Sequence, residues 1–152
     1  MPDGSVPVDP DLPALRRRAA HWDIIAVVAA GGMIGATGRY ALSLALPTEP
    51  GRFPWGTFLT NVSGAAVLGL LLVLLTERYE SGRYLRPFLG TGVMGAYTTF
   101  STFMVEADLL VRDGHPVLAL SYLVGSLLAG AVAVWLGMRV GRRLPVRPKA
   151  SR

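Results

Sequence analysis

Four long apolar runs, each separated from the next by a short polar stretch, constrain this chain more than any other feature. They are Ile24 to Leu46, Gly56 to Thr76, Leu85 to about Val111, and Pro116 to Met138. Each can cross about 30 Å of hydrocarbon at about 1.5 Å per helical residue. A backbone in lipid must satisfy its own hydrogen bonds, and a helix does so within one segment. The predicted fold is an all-α membrane protein with four transmembrane helices. Charged residues are only 16% of the chain against 51% apolar, where a soluble domain carries about a quarter charged.

The charges collect at the ends and in the loops. Arg16, Arg17 and Arg18 precede the first run, and Arg139, Arg142, Arg143, Arg147, Lys149 and Arg152 follow the last. Basic residues placed beside spans are an orientation signal and a contact for anionic lipid. The net charge of +5 is therefore read as membrane-related, and no nucleic-acid partner is expected. Residues 1–22 read as a disordered basic cytoplasmic tail, 23–139 as the membrane domain and 140–152 as a second basic tail. The first run is too long for a cleaved signal peptide and contains Arg39. Trp22, Trp55 and Trp135 fall near span ends, with Tyr79 and Tyr84 in the loop after span two, as in an aromatic belt. The absence of cysteine excludes disulfides, zinc thiolate sites and iron–sulfur clusters.

Small residues recur at four-residue spacing: Gly31/Gly35, Gly125/Ala129 and Ser126/Gly130. Such faces let helices approach closely. Four short spans enclose little interior, so a path for a polar solute needs a second subunit.

No enzyme constellation is present. His21 lies in the tail and His115 in a turn, while Glu106 and Asp108 occupy different helical faces. Four polar features remain within the runs. Arg39 lies about 10 Å from the end of span one. It either snorkels to the headgroups or faces inward, pinning backbone or a loop or attracting anions to a vestibule. Asn61 is either interhelical hydrogen-bond glue or an amide donor on a pathway. The stretch "GTGVMGAYTT" either packs as an intact helix or breaks, freeing carbonyls at membrane depth for a hard cation. In "TTFSTF", Phe100 and Phe103 are three apart and share a face, flanked by Ser101 and Thr102. Aromatic edges are electropositive, and with hydroxyl and amide donors they make a weak replacement shell for a small anion. The alternative is that both rings face lipid or a partner helix.

These residues carry a resemblance. "GGMIGATGRY" in span one, "GTFLTNVSG" opening span two and "GVMGAYTTFSTF" in span three are similar to the CrcB/Fluc family of small fluoride channels, over roughly residues 28–138. The resemblance implies an antiparallel dimer of four-span subunits in the cell's inner (plasma) membrane, with the third helix broken near its middle and two fluoride pores. Phe100 and Phe103 match the paired pore phenylalanines, Asn61 the pore asparagine, and Ser101 and Thr102 the hydroxyls after the first ring. Gly95 and Thr98 match the positions whose carbonyls hold a central structural sodium ion at the two-fold axis. Glu106, Tyr122 and Ser126 also fit, and Arg39 matches the span-one arginine. Ala96 departs from the pattern, standing where many relatives have a second glycine.

The reading is a non-enzymatic channel subunit through which fluoride, trapped after entry as HF, leaves passively. A proton-coupled multidrug transporter of the small four-span type needs an embedded carboxylate, and span one offers Arg39 and no acid. A non-transporting assembly factor would not need these polar groups on one path. The loops add a further expectation. The tails and Arg78, Arg83 and Arg86 put most basic residues on one side, against Arg52 and Arg112 on the other. The bias predicts N-in, C-in insertion, with a related chain of opposite bias favoured over an identical one as the antiparallel partner.

Overall fold

A computed structural model describes residues 22–78 and 82–144. The two expected tails, with Arg16, Arg17 and Arg18, and Tyr79 lie outside the described residues, apart from Trp22, which opens the first helix, and residues 140–144 at the end of the last. All regular structure among the described residues is helical. Helix α1 spans Trp22–Ala45, with Asp23 in its first turn, where a negative charge suits the helix N-terminus. Helix α2 spans Trp55–Val73 and is continued by a π-type turn, Leu74–Arg78. The third apolar run is divided into α3 (Pro87–Met94, π-helical), α4 (Gly95–Tyr97) and α5 (Phe100–Arg112). Helix α6 spans Pro116–Arg143. Pro116 opens it, where the missing N–H costs nothing, and Arg142 and Arg143 close it near the negative dipole end.

Among the described residues, three helices are long and apolar enough to cross a membrane: Trp22–Ala45, Trp55–Glu77 and Pro116–Arg143. The third run does not form one continuous helix of that kind. The fourth runs five residues past the Met138 end read from sequence, with Arg139, Arg142 and Arg143, good helix formers, carrying on a helix already begun.

The helices pair in a fixed pattern. Helix α1 lies on α3 and α4, α2 lies on α6, and α5 lies on α6. At one end of the bundle, Asp23 meets Arg83 at 2.8 Å and accepts from the Tyr84 hydroxyl at 3.0 Å. At the same end Arg142 forks onto Glu77, with N···O distances of 3.1 and 3.3 Å. The opposite end holds the 46–54 loop and the tight turn before α6, where Gly114 adopts φ +82°, a conformation open to glycine. The start of α1, the loop after α2 and the end of α6 therefore share one face of the molecule, as alternating up and down helices require.

Glycine sets the closest approaches. Gly31 and Gly35 of α1 are buried directly against the backbone of Gly92 and Val93, as the GxxxG spacing predicts. The other two small-residue pairs behave differently. Gly125 and Gly130 have open space where a side chain would stand, so they meet no other helix among the described residues. The α2–α6 seam is made instead by Gly69 against the Val134 carbonyl and by Gly137 against the Ala66 carbonyl. The interior is thin. Tyr122, Phe103, Ala107, Leu110 and Ala119 form one small buried cluster, edged by Phe53, Phe58, Leu118 and Leu123.

Candidate functional site

The hexad Thr98 to Phe103 begins where helical backbone stops. Thr98 has φ −79°, ψ 155° and Thr99 has φ −144°, ψ 125°, both extended. Tyr97 before them and Phe100 after them are helical. Each hydroxyl of the pair has a local task. Thr98 Oγ1 donates to the Met94 carbonyl at 3.0 Å. Thr99 is the N-cap of α5, its Oγ1 accepting from the Thr102 N–H at 3.2 Å. A threonine cap satisfies one of the orphan donors at a helix start. The same Oγ1 donates to Thr102 Oγ1 at 3.0 Å and lies 3.3 Å from Ser101 Oγ. Sequence reasoning placed Thr99 in the quoted motif without a role. The signal was a hydroxyl residue directly before a helical segment.

Asn61, from α2, reaches the same place. Its Nδ2 donates to the Thr99 carbonyl and its Oδ1 accepts from the Thr99 N–H, both at 2.9 Å. The Thr99 N–H that would have closed a turn on the Gly95 carbonyl is thus turned aside. From α1, Arg39 Nε donates to the Ala96 carbonyl at 3.0 Å. Arg39 therefore faces inward and pins backbone rather than snorkelling. Gly64, one turn beyond Asn61 on α2, touches the Thr98 methyl so closely that no Cβ fits there. Gly95 itself is exposed, and Thr98 is half-buried.

The two phenylalanines part company. Their ring centroids are 6.1 Å apart, yet Phe103 is 6% exposed and Phe100 is 74% exposed. Phe103 packs on Tyr122 with centroids 4.9 Å apart, whereas Phe100 projects from the surface of the chain. Tyr122 is fully buried, with Phe53 edge-on at 5.3 Å. One turn further along α6, the Ser126 hydroxyl is buried and has no hydrogen-bond partner among the described residues.

Glu106 gathers three hydroxyls. Tyr122 OH donates to Oε2 at 2.9 Å, and Thr57 and Thr48 donate to Oε1 at 2.9 and 3.2 Å. Thr57 lies within the quoted "GTFLTNVSG", and Thr48 lies in a loop that carried no signal. Glu106 also borders an open cavity of about 440 Å³, shared with Thr48, Arg52, Pro54, Leu109 and Asp113. Asp108, two residues on, points away and pairs with Arg112 at 2.8 Å. The structure thus brings Asn61 to the hexad, and joins Phe103 to Tyr122 and Glu106. It leaves Phe100 and Ser101 on the outer surface.

Comparison with known proteins adds the lineage. Residues 26–138 match the family model described as CrcB-like protein, Camphor Resistance (CrcB). The chain is 50% identical over 137 residues to "Fluoride-specific ion channel FluC 2" of Streptomyces avermitilis, covering 89% of this chain and 87% of that one. It is 48% identical over 121 residues to "Fluoride-specific ion channel FluC 1" of Streptomyces coelicolor, covering 80% and 79%. A more distant relative, "Fluoride-specific ion channel FluC" of Magnetococcus marinus, is 45% identical over 119 residues, covering 78% and 97%. The family model covers the apolar runs except Ile24 and Ile25, and every site residue named above, and the chain belongs to the CrcB family.

Proposed function

We propose that this protein is a fluoride-selective channel subunit that lets fluoride leave the cytoplasm passively through the inner (plasma) membrane. The observation that carries the reading is the donor set of the site. Phe100, Ser101, Thr102, Phe103, Tyr122 and Ser126 supply ring edges and hydroxyls without a full positive charge among them. The unpartnered, buried Ser126 hydroxyl is a donor not spent on the protein. Such a lining can replace water around a small anion and still release it. The names of the relatives point the same way.

The working unit is an antiparallel dimer of four-span subunits. Phe100, projecting from its subunit, and the open faces at Gly125 and Gly130 are surfaces that a second subunit can complete. Segments α3 to α5 together form a discontinuous third span, supported by the extended backbone at Thr98 and Thr99. The carbonyls of Gly95 and Thr98 would hold a sodium ion shared with the partner, hard oxygen donors suiting a hard cation. Gly95 is exposed and its carbonyl has lost the Thr99 donor to Asn61, which fits that role.

The decisive experiment is fluoride efflux from proteoliposomes containing the purified chain, followed with a fluoride electrode. Rapid efflux that is driven by the fluoride gradient and ignores chloride is expected. Efflux equal to that of empty liposomes, with this chain alone and with a related chain added, would overturn the proposal.

A further inference from the structure

The geometry points to Arg39 and Asn61 as a two-sided clamp that holds the chain open between Tyr97 and Phe100, with Arg39 acting through its Nε–H rather than its charge. The two residues come from different helices and meet the gap from its two sides. Arg39 Nε takes the Ala96 carbonyl, which would otherwise accept from Phe100 N–H. Asn61 takes both main-chain polar groups of Thr99. The Arg39 bond to the Ala96 carbonyl and the Asn61 Oδ1 bond to the Thr99 N–H each replace one that a continuous helix would have made internally, so the extended state at Thr98 and Thr99 depends on side chains from outside the segment. Gly64 admits Thr98 to the same α2 face, where a larger residue would push it away.

The clamp sets where the next helix begins. Thr99 is the cap of α5, so the position of its peptide fixes the azimuth of Phe100 and Phe103 around that helix. Arg39 and Asn61 are thus positioning residues for the ring pair. Among the described residues Arg39 has no carboxylate partner, and its other nitrogens make no hydrogen bond there. A free charge at that depth could instead serve to draw anions in. The two roles make opposite predictions because of side-chain length. In glutamine the amide nitrogen stands at the same number of bonds from the backbone as arginine Nε. In lysine a methylene stands there, with the charge one atom further out.

The test compares Arg39→Gln with Arg39→Lys in the full chain reconstituted in liposomes and nanodiscs. The flux arm rests on the channel reading, and the exchange arm does not. For a positioning role, Arg39→Gln keeps more fluoride efflux than Arg39→Lys by about tenfold or more, since a misplaced ring pair weakens every passage. The ratio stays the same at low and high ionic strength, where a steering charge would be screened. Hydrogen exchange at the Thr99 amide stays slow in Arg39→Gln and quickens in Arg39→Lys, although Asn61 is intact in both. Adding Asn61→Ala to Arg39→Lys costs less than the product of the two single effects, as coupled residues do. The reverse ranking, or equal flux in both variants, or a loss in Arg39→Gln that fades at high salt, overturns the clamp. Should Arg39→Lys fail to fold, the salt dependence and Thr99 exchange of Arg39→Gln alone decide between the roles. A wild-type chain without efflux would overturn the channel reading and leave the Thr99 exchange result standing.

Discussion

The Tyr122 hydroxyl donates to Glu106 Oε2 at 2.9 Å across the α5–α6 contact, and that bond completes a side-chain hydrogen-bond network running from Tyr122 through Glu106 to Thr57 and to Thr48 of the 46–54 loop. Three donors converge on one carboxylate, so each of its partners is matched to an acceptor. Glu106→Gln turns one acceptor into a donor that must face a hydroxyl already donating. A charge-assisted bond of this kind contributes about 1.5–3 kcal/mol. The variant should therefore melt at a clearly lower temperature in detergent, and Tyr122→Phe should lower it by a similar step. Melting identical to the wild type in both would remove Glu106 from the structural core.

The exposure difference within the ring pair separates flux from stability. Phe100→Ile removes the ring edge at an exposed position, so subunit melting should stay near the wild type. Fluoride efflux should fall about tenfold or more, equal to about 1.4 kcal/mol at the barrier. Phe103→Ile should lose flux and stability together, because Phe103 is packed on Tyr122. Wild-type flux in both variants, read with a fluoride electrode, would place the pathway elsewhere.

Two glycines with opposite surroundings give a packing test. Gly64→Ala drives a methyl into Thr98 and should cost about 1–3 kcal/mol, with the α4–α5 gap displaced. Gly125→Ala meets open space within the subunit, and alanine has the better helix propensity. It should leave subunit melting unchanged or raised. On the dimer proposal, any loss it causes should appear as weakened dimerisation by size-exclusion chromatography, the partner being what would cover that face.

The sodium proposal rests on main-chain oxygens. Thr98→Ser keeps the carbonyl and the Oγ that donates to Met94, so transport and sodium-dependent thermal protection should survive. A bulky side chain at Gly95 should abolish both. Full sodium protection in Gly95→Leu, measured as the melting shift between sodium and a large organic cation, would contradict the assignment.

Insertion should follow the arginines. Arg83, Arg86, Arg139, Arg142 and Arg143 lie at the end of the bundle where α1 begins, and Arg52 and Arg112 lie at the other. Arg83 and Arg142 are paired with Asp23 and Glu77, but orientation is set by Lys and Arg near the spans and not by net charge. Reporter fusions at the C-terminus should show a mostly cytoplasmic end. Fluoride transport should then need a related chain of opposite bias. Equal cytoplasmic and external signals, with transport by this chain alone, would establish an identical partner.

The apolar runs and their polar separators were legible because backbone facing lipid must satisfy its own hydrogen bonds, which a long apolar helix does within one segment. Length and hydropathy thus located α1, α2 and α6 to within a few residues, and the tight turn before Pro116 followed from "RDGH". The motifs singled out Asn61, Phe100 and Phe103 by resemblance, and the structure brings Asn61 to the start of the helix that carries both rings. The inward turn of Arg39 was one of several open readings, since a charge near a span end can face headgroup, cavity or backbone. Packing between segments distant in the chain decided it: Arg39 and Ala96 are 57 residues apart. The same holds for Glu106, whose donors Thr48 and Thr57 come from a loop and a helix with no local signal for it. Tertiary structure also chose among the glycines. All share the same local freedom, but only those whose missing side chain meets a neighbouring backbone, such as Gly35, Gly69 and Gly137, form the seams within the subunit. Spacing along one helix records which residues share a face, and it carries no information about which face another helix will cover.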